Sequence, residues 1–190
     1  MAKMTEIRWH ARGGQGAVTA GKLVAETAIG MDLYFQAFPD YGAERMGAPI
    51  RAFTRLSDAP IHQHCNIENP GVVVVLDPTL LSIVDVTEGL LEDGVVIVNT
   101  TETPAAIREQ LKLKGGKVYT VNASKIAIDE LGREITNTPM LGALSAATGL
   151  FSVDAVCNQI EKDFGKKMRK DVVDANVRAV RRAATEVQVG

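Results

Sequence analysis

Six residues, Arg12-Gly13-Gly14-Gln15-Gly16-Ala17, stand between an alternating apolar segment at 4–10 and a helical pattern at 18–29. No other stretch restricts the fold as much. Without a β-carbon on Gly13, Gly14 and Gly16, the backbone N–H groups there come close to an anion or to another chain. Residues 4–10 alternate as a half-buried strand does, and Val18, Leu23, Val24, Ala28 and Ile29 are expected on one face of the helix. A strand, a glycine turn and a helix N-terminus in that order form the geometry that holds a phosphate. The same glycines also suit a tight strand-to-helix turn that binds nothing, and the turn alone does not separate the two readings.

The rest of the chain extends the strand and helix pattern. Residues 33–38 predict a second strand and 50–56 a third, with Ile50, Ala52 and Thr54 on one side and Arg51, Phe53 and Arg55 on the other. Asp58-Ala59-Pro60 is a turn. The β-branched run at 71–77 and its counterparts at 94–99 and 117–121 predict parallel strands buried on both faces. The segments between them are expected to be helical. Thr103-Pro104 opens one helix, and another spans 124–131 with Ser124 as its N-cap. From Pro139 onward the pattern is all helix. The small apolar stretch 141–147 suits close helix packing, Gly149 and Gly165 act as stops, and Ser152 caps the helix between them. Residues 166–187 form a last amphipathic helix whose basic cluster, Lys166, Lys167, Arg169 and Lys170, is a solvated face. The expected fold is α/β, a Rossmann-like three-layer arrangement with a mostly parallel sheet and a helical C-terminal segment, in one domain over 1–190.

Composition excludes several functions. A formal net charge of −2 gives no reason to expect nucleic acid as a partner. No apolar run approaches the ~20 residues of a membrane span, and the N-terminus has no signal-peptide core, so a cytoplasmic protein is expected. The two cysteines, Cys65 and Cys157, cannot ligate an iron–sulfur cluster, which needs about four. His62 and His64 share a face of an extended segment while Cys65 points away, and nothing completes a four-ligand metal set.

A free-standing dinucleotide dehydrogenase fits poorly. Its fingerprint needs glycine at positions 11, 13 and 16, and position 11 is alanine. Asp40, near the place of the ribose-binding acid, lies in a glycine-rich loop that leads into another strand and not into a crossover helix. That loop, from Pro39 to Arg51, is the second unusual segment. Arg45 and Arg51 carry paired donors that clamp a phosphate or carboxylate. Glu44 and Arg45 as a plain surface ion pair are the alternative.

Residues 7–20, Ile7-Arg8-Trp9-His10-Ala11-Arg12-Gly13-Gly14-Gln15-Gly16-Ala17-Val18-Thr19-Ala20, resemble the opening of the gamma subunit of pyruvate and 2-ketoacid:ferredoxin oxidoreductases. The resemblance continues in Gln36-Ala37-Phe38-Pro39 and Tyr41-Gly42-Ala43-Glu44-Arg45-Met46-Gly47-Ala48-Pro49. It resumes in Asp77-Pro78-Thr79-Leu80-Leu81, Asp85-Val86-Thr87-Glu88-Gly89-Leu90 and Asn137-Thr138-Pro139-Met140-Leu141-Gly142, in family order. Such enzymes decarboxylate a 2-oxoacid on thiamine diphosphate, pass electrons through iron–sulfur clusters to ferredoxin and release an acyl-coenzyme A. The resemblance implies a gamma domain that holds no cofactor itself, with thiamine diphosphate and clusters in alpha, beta and delta partners. It also implies that Gly13, Gly14, Gln15, Gly16, Arg45 and Arg51 face coenzyme A or a neighbouring subunit as contacts, not catalysts. Asn137 is a further such contact, with a helix-cap role as its alternative. Ala11 replaces a frequent family glycine. The helix at 141–147 and the Arg/Gly loop are the expected partner surfaces, and pyruvate is the expected 2-oxoacid. The alternative is a free-standing nucleotide- or phosphate-ligand-binding module.

Overall fold

The computed structural model describes residues 4–40 and 46–190. Strand β1 (Met4–Arg12) leads into helix α1 (Ala17–Ile29), and β2 (Tyr34–Pro39) and β3 (Pro49–Ser57) follow. Next come β4 (Val72–Val75), a 3-10 turn (Pro78–Ser82), β5 (Val95–Asn99), α2 (Pro104–Gln110) and β6 (Lys117–Val121). The C-terminal part holds α3 (Ala123–Leu131), α4 (Asn137–Thr148), α5 (Val153–Phe164), α6 (Lys170–Glu186) and a short β7 (Gln188–Val189).

The strands form one seven-stranded sheet in the order β2-β3-β1-β4-β5-β6-β7. Strands β1, β4, β5 and β6 run parallel, while β3, β2 and β7 are added antiparallel at the two sides. This is the expected α/β class, with its parallel centre and helical C-terminal segment. Strand alternation sorts the core into two layers. Val72 and Val74 join the cluster under the helices, which includes Ile7, Trp9, Ile126, Leu141 and Ile160. Val73 and Val75 join a second cluster on the opposite face with Leu80, Val98, Ile107 and Val118.

Helix α4 is the centre of the helical layer. Its run from Asn137 to Ser145 is buried, and Gly142 lies so close to the Val180 backbone of α6 that an added β-carbon would collide with the carbonyl oxygen. The close packing expected of 141–147 is therefore met inside the chain itself. The expectation that this stretch forms a partner surface is overturned, because α6 already covers it.

Other boundaries shift for identifiable reasons. No α-helix links β4 to β5. Pro78 opens a short 3-10 turn, and the carboxylates of Asp77 and Asp85 each take the backbone N–H two residues on, which holds the chain in turns. Helix α3 is capped by Asn122, which accepts from the Lys125 N–H at 3.0 Å, and not by Ser124. The Ser124 hydroxyl instead accepts from Asn99 Nδ2, binding α3 to the end of β5. In α1 the buried stripe follows Ala17, Ala20, Val24 and Ala28, so Val18, one residue (about 100°) off that line, is exposed, as is Ile29 at the helix end. Helix α6 starts at Lys170 because Arg169 is extended. The expected starts at Thr103-Pro104 and Ser152 hold, each hydroxyl accepting from the N–H three residues on.

Gly142→Ala is expected to destabilise the chain by about 1–3 kcal/mol, since either α4 or α6 must move to admit the methyl group. Urea denaturation followed by the fluorescence of Trp9, the one tryptophan, measures this.

Candidate functional site

The glycine turn is held from both sides. Gly13 N–H donates to the Ala48 carbonyl at 2.9 Å and Gly47 N–H to the Gly13 carbonyl at 3.1 Å, so the turn is bonded to the segment just before β3. The Gln15 side chain accepts from Arg12 N–H at 2.7 Å and donates from Nε2 to Asp77 at 2.8 Å, at the end of β4. Arg12 lies 3.2 Å from the same carboxylate and donates to the Gly47 carbonyl and the Thr79 hydroxyl. Burial raises the Asp77 pKa, but the Thr79 hydroxyl, Gln15, the Thr79 N–H and the Arg12 charge together hold it below the usual carboxylate range. The β4 side of the turn therefore carries a fixed negative charge, already compensated within the chain.

The other side of the turn meets α4. Gly14 and Gly16 have positive φ, 98° and 81°, a conformation that favours glycine. Gly16 is the N-cap of α1 and has no side chain to accept from the first-turn N–H groups, and no acid stands in that turn. Asn137 packs directly on it: a β-carbon at Gly16 would lie 2.7 Å from Asn137 Nδ2. Asn137 is the first residue of α4, one place after the N-cap Thr136, and its Oδ1 accepts from the Thr138 N–H at 2.9 Å. The helix-cap alternative thus lies next to the observed position and not on it.

The structure brings Gly13, Gly14, Gln15, Gly16 and Asn137 together. It places Arg51 apart from them, on the face of the sheet away from α1, where β3 pairs it with His10. Its guanidinium is engaged by Asp40 at 2.7 Å and lies 6.0 Å from the Phe53 ring. Arg45 and Glu44 lie outside the described residues.

That face of the sheet holds charged groups the sequence reading did not select. Arg8, 2% exposed, donates to His10 Nε2 at 3.1 Å and to the carbonyls of Val86 and Glu88. Arg55, 1% exposed, pairs with Glu6 at 2.7 Å. The available signal was a basic residue at alternate positions of two otherwise apolar strands. Burial, with the charges of Arg8 and Arg51, pulls the His10 pKa down to about 3. His10 is therefore neutral, with its proton on Nδ1, because Nε2 accepts from Arg8. His62, His64 and Cys65 are exposed, and among the described residues no three His, Cys, Asp or Glu side chains are grouped to hold a metal ion. These residues do not fit an iron–sulfur cluster. Among the described residues no helix is long and apolar enough to cross a membrane.

Because folded His10 resists protonation, the unfolded chain binds the extra proton below pH 6.5. Stability is expected to be full above pH 6.5 and to fall as pH drops towards about 3, by up to about 2 kcal/mol between pH 6.5 and 5. The carboxyls of Asp77 and Asp85 are held below the usual carboxylate range. Urea midpoints across this range check it: His10→Gln, which keeps an acceptor for Arg8, should flatten the dependence.

The family model for pyruvate ferredoxin/flavodoxin oxidoreductase matches residues 6–186. The pyruvate synthase subunit PorC of Thermotoga maritima is 50% identical over 186 residues, 98% of this chain and 96% of that one. The pyruvate/ketoisovalerate oxidoreductases common subunit gamma of Pyrococcus abyssi is 48% identical, covering 98% of each chain. The crystal structure of the pyruvate oxidoreductase subunit PORC from Thermotoga maritima superposes with a TM-score of 0.88 at 46% identity, covering 99% of both chains. End-to-end similarity at this level in sequence and fold identifies the chain as a member of the pyruvate ferredoxin/flavodoxin oxidoreductase family, of the gamma-subunit type.

Proposed function

We propose that the chain is the non-catalytic gamma subunit of a cytoplasmic 2-oxoacid:ferredoxin oxidoreductase acting on pyruvate. The observation that carries this reading is the full-length likeness to PorC, with neither chain leaving a large part unmatched. In this reading alpha, beta and delta partners hold thiamine diphosphate and the iron–sulfur clusters, and the assembly delivers electrons to ferredoxin. The chemistry of decarboxylation belongs to those cofactors, and the protein's part is binding and orientation. A relative named as a common subunit of pyruvate and ketoisovalerate oxidoreductases supports a role that does not itself choose the 2-oxoacid.

The contribution of this chain is coenzyme A access and assembly. Gly13, Gly14, Gln15, Gly16 and Asn137 border the coenzyme A path, with Arg45 and Arg51 as contacts to coenzyme A or to a neighbouring subunit. The rigidity of the glycine turn, bonded to Ala48, Gly47 and Asp77, suits a surface that must keep its shape while a ligand passes.

Affinity purification of the tagged chain under anaerobic conditions should recover the thiamine- and cluster-bearing subunits with coenzyme A-dependent pyruvate oxidation. A clean monomer that binds a nucleotide unaided would sink this reading in favour of the free-standing module. In the assembled enzyme, Arg51→Ala is expected to raise the coenzyme A KM about five- to tenfold with the pyruvate KM little changed, as loss of one charge-assisted contact does. Lost assembly with normal KM values would make Arg51 an interface residue.

A further inference from the structure

The two edges of the sheet end differently. At one side the last strand, β7, is two residues long. At the other, β2 is a six-residue edge strand that pairs with β3 alone among the described residues, and none of its residues is charged. Edges of this length are ordinarily guarded by charges, a bulge or a covering element, because unpaired backbone groups accept another strand. This edge is apolar instead. Tyr34 is 50% exposed and Phe35 40%, with Ile29 and Met31 exposed just before them. A cavity of about 400 Å³ runs beside the strand, between Gln36, Ala37 and Phe38 on one wall and His64 and Asn66 on the other.

The ladder with β3 fixes which backbone groups are free. Asp40 N–H donates to the Arg51 carbonyl at 2.9 Å, and antiparallel pairs alternate between bonded and unbonded. Gln36 and Phe38 therefore bond β3, while the N–H and C=O of Phe35 and of Ala37 point out of the sheet. The next outward residue is Pro39, which has no N–H to leave unpaired. Two donors and their two carbonyls, two residues apart, are the pattern that a second antiparallel strand completes.

Beta2 is its own complement in that pattern. With a two-fold axis at Gln36, Phe35 lies opposite the partner's Ala37, and Ala37 opposite the partner's Phe35. Four backbone bonds form, and every outward N–H of the pair is used. On the face away from α1, Tyr34 meets the partner's Phe38 and Phe38 meets the partner's Tyr34, in unbonded pairs where side chains approach closest. Phe38 already stacks on Phe53 with ring centroids 5.3 Å apart, so each aromatic row gains a third ring. Gln36 faces the partner's Gln36, polar against polar. Beyond the strand the axis brings Asp32 towards the partner's Asp40, whose charge Arg51 offsets at 2.7 Å.

We infer that the β2 edge is a docking surface for a second copy of this chain, joined antiparallel about Gln36 so that two seven-stranded sheets become one. A two-fold contact of one patch with itself is the commonest closed assembly. A contact one strand wide falls in the class below about 1,200 Å² of buried area, that of weak and transient interfaces, so the dimer forms in the micromolar range and not below it.

The test uses the full chain, with sedimentation from low micromolar to millimolar concentration and amide exchange of the ¹⁵N-labelled chain over the same range. A monomer–dimer equilibrium is expected, with Phe35 and Ala37 amides gaining protection as concentration rises and Gln36 and Phe38 amides protected throughout. Tyr34→Lys, a change at a half-exposed site counted twice by the symmetry, should weaken dimerisation about tenfold or more with thermal unfolding near that of the parent. Ala37→Pro removes an outward N–H and leaves the β3 bonds in place, and should abolish the dimer. A monomer at every concentration, a dimer in which Phe35 and Ala37 exchange as before, or a dimer that survives Tyr34→Lys unweakened would each overturn the inference. Protection of Phe35 and Ala37 that arises only in the assembled enzyme, with the chain alone monomeric, would give the edge to another subunit and overturn it too. Should Ala37→Pro fail to fold, Tyr34→Lys and the exchange pattern decide.

Discussion

Strand β1 is the constraint on which the other parts depend. Its alternation sends Ile7, Trp9 and Ala11 under the helical layer and Arg8 and His10 to the opposite face, all of them nearly fully buried. An arginine in such a place is tolerated only if its donors are used, since an unpaired buried charge costs far more than a lost contact. Arg8 meets this by bonding to His10, Val86 and Glu88, which fixes the irregular connection between β4 and β5 against the sheet. Trp9 bonds the Thr54 hydroxyl of β3 at 3.0 Å, so one strand anchors neighbours on both sides. Where β1 ends, Arg12 turns to Asp77, Thr79 and Gly47, and the glycine turn begins.

The helical layer reaches the same turn from the other direction. Small residues let α4 press against α6, with Gly142 at the Val180 backbone. The Thr138 hydroxyl donates to Asn176 at 2.8 Å, and Asn176 donates in turn to the Val172 carbonyl, so the start of α4 is pinned to α6. That pinning sets Asn137 against Gly16, where only a bare α-carbon fits. Packing on α6, far along the chain from the glycine turn, thus decides whether the N-terminus of α1 has a polar neighbour. In a close-packed interior such placements are transmitted rigidly.

A gamma subunit built in this way has a division of labour within one sheet. The α1 side sets a helix N-terminus without a capping side chain against Asn137. The reverse side, with Arg8, Arg51 and Arg55 around a neutral His10, is a set of charges compensated by Glu6, Asp40 and backbone carbonyls. Arg8, bonded to the carbonyls of Val86 and Glu88, and Arg55, bonded to that of Asn66, hold loops against the sheet.

Much of this was legible in the sequence. The β-branched runs announced parallel strands because a strand buried on both faces has no polar face to show. Thr103-Pro104 and Ser152 announced helix starts because capping is local chemistry between neighbouring residues. The ordered blocks from Ile7 to Gly142 announced the family. Local chemistry also misled: Ser124 looked like a cap until Asn122 and Asn99 claimed the positions around it, and the segment after Asp77 had helical length but was held in turns by its own carboxylates. The sequence by itself determined the elements and the glycine turn, since hydrophobic period, capping and positive-φ glycines act over a few residues. Only the tertiary structure decided that Asn137 meets Gly16 while Arg51 belongs to Asp40 and the opposite face. Those pairings depend on which strands become neighbours and how closely α4 packs on α6, and no short-range pattern encodes either.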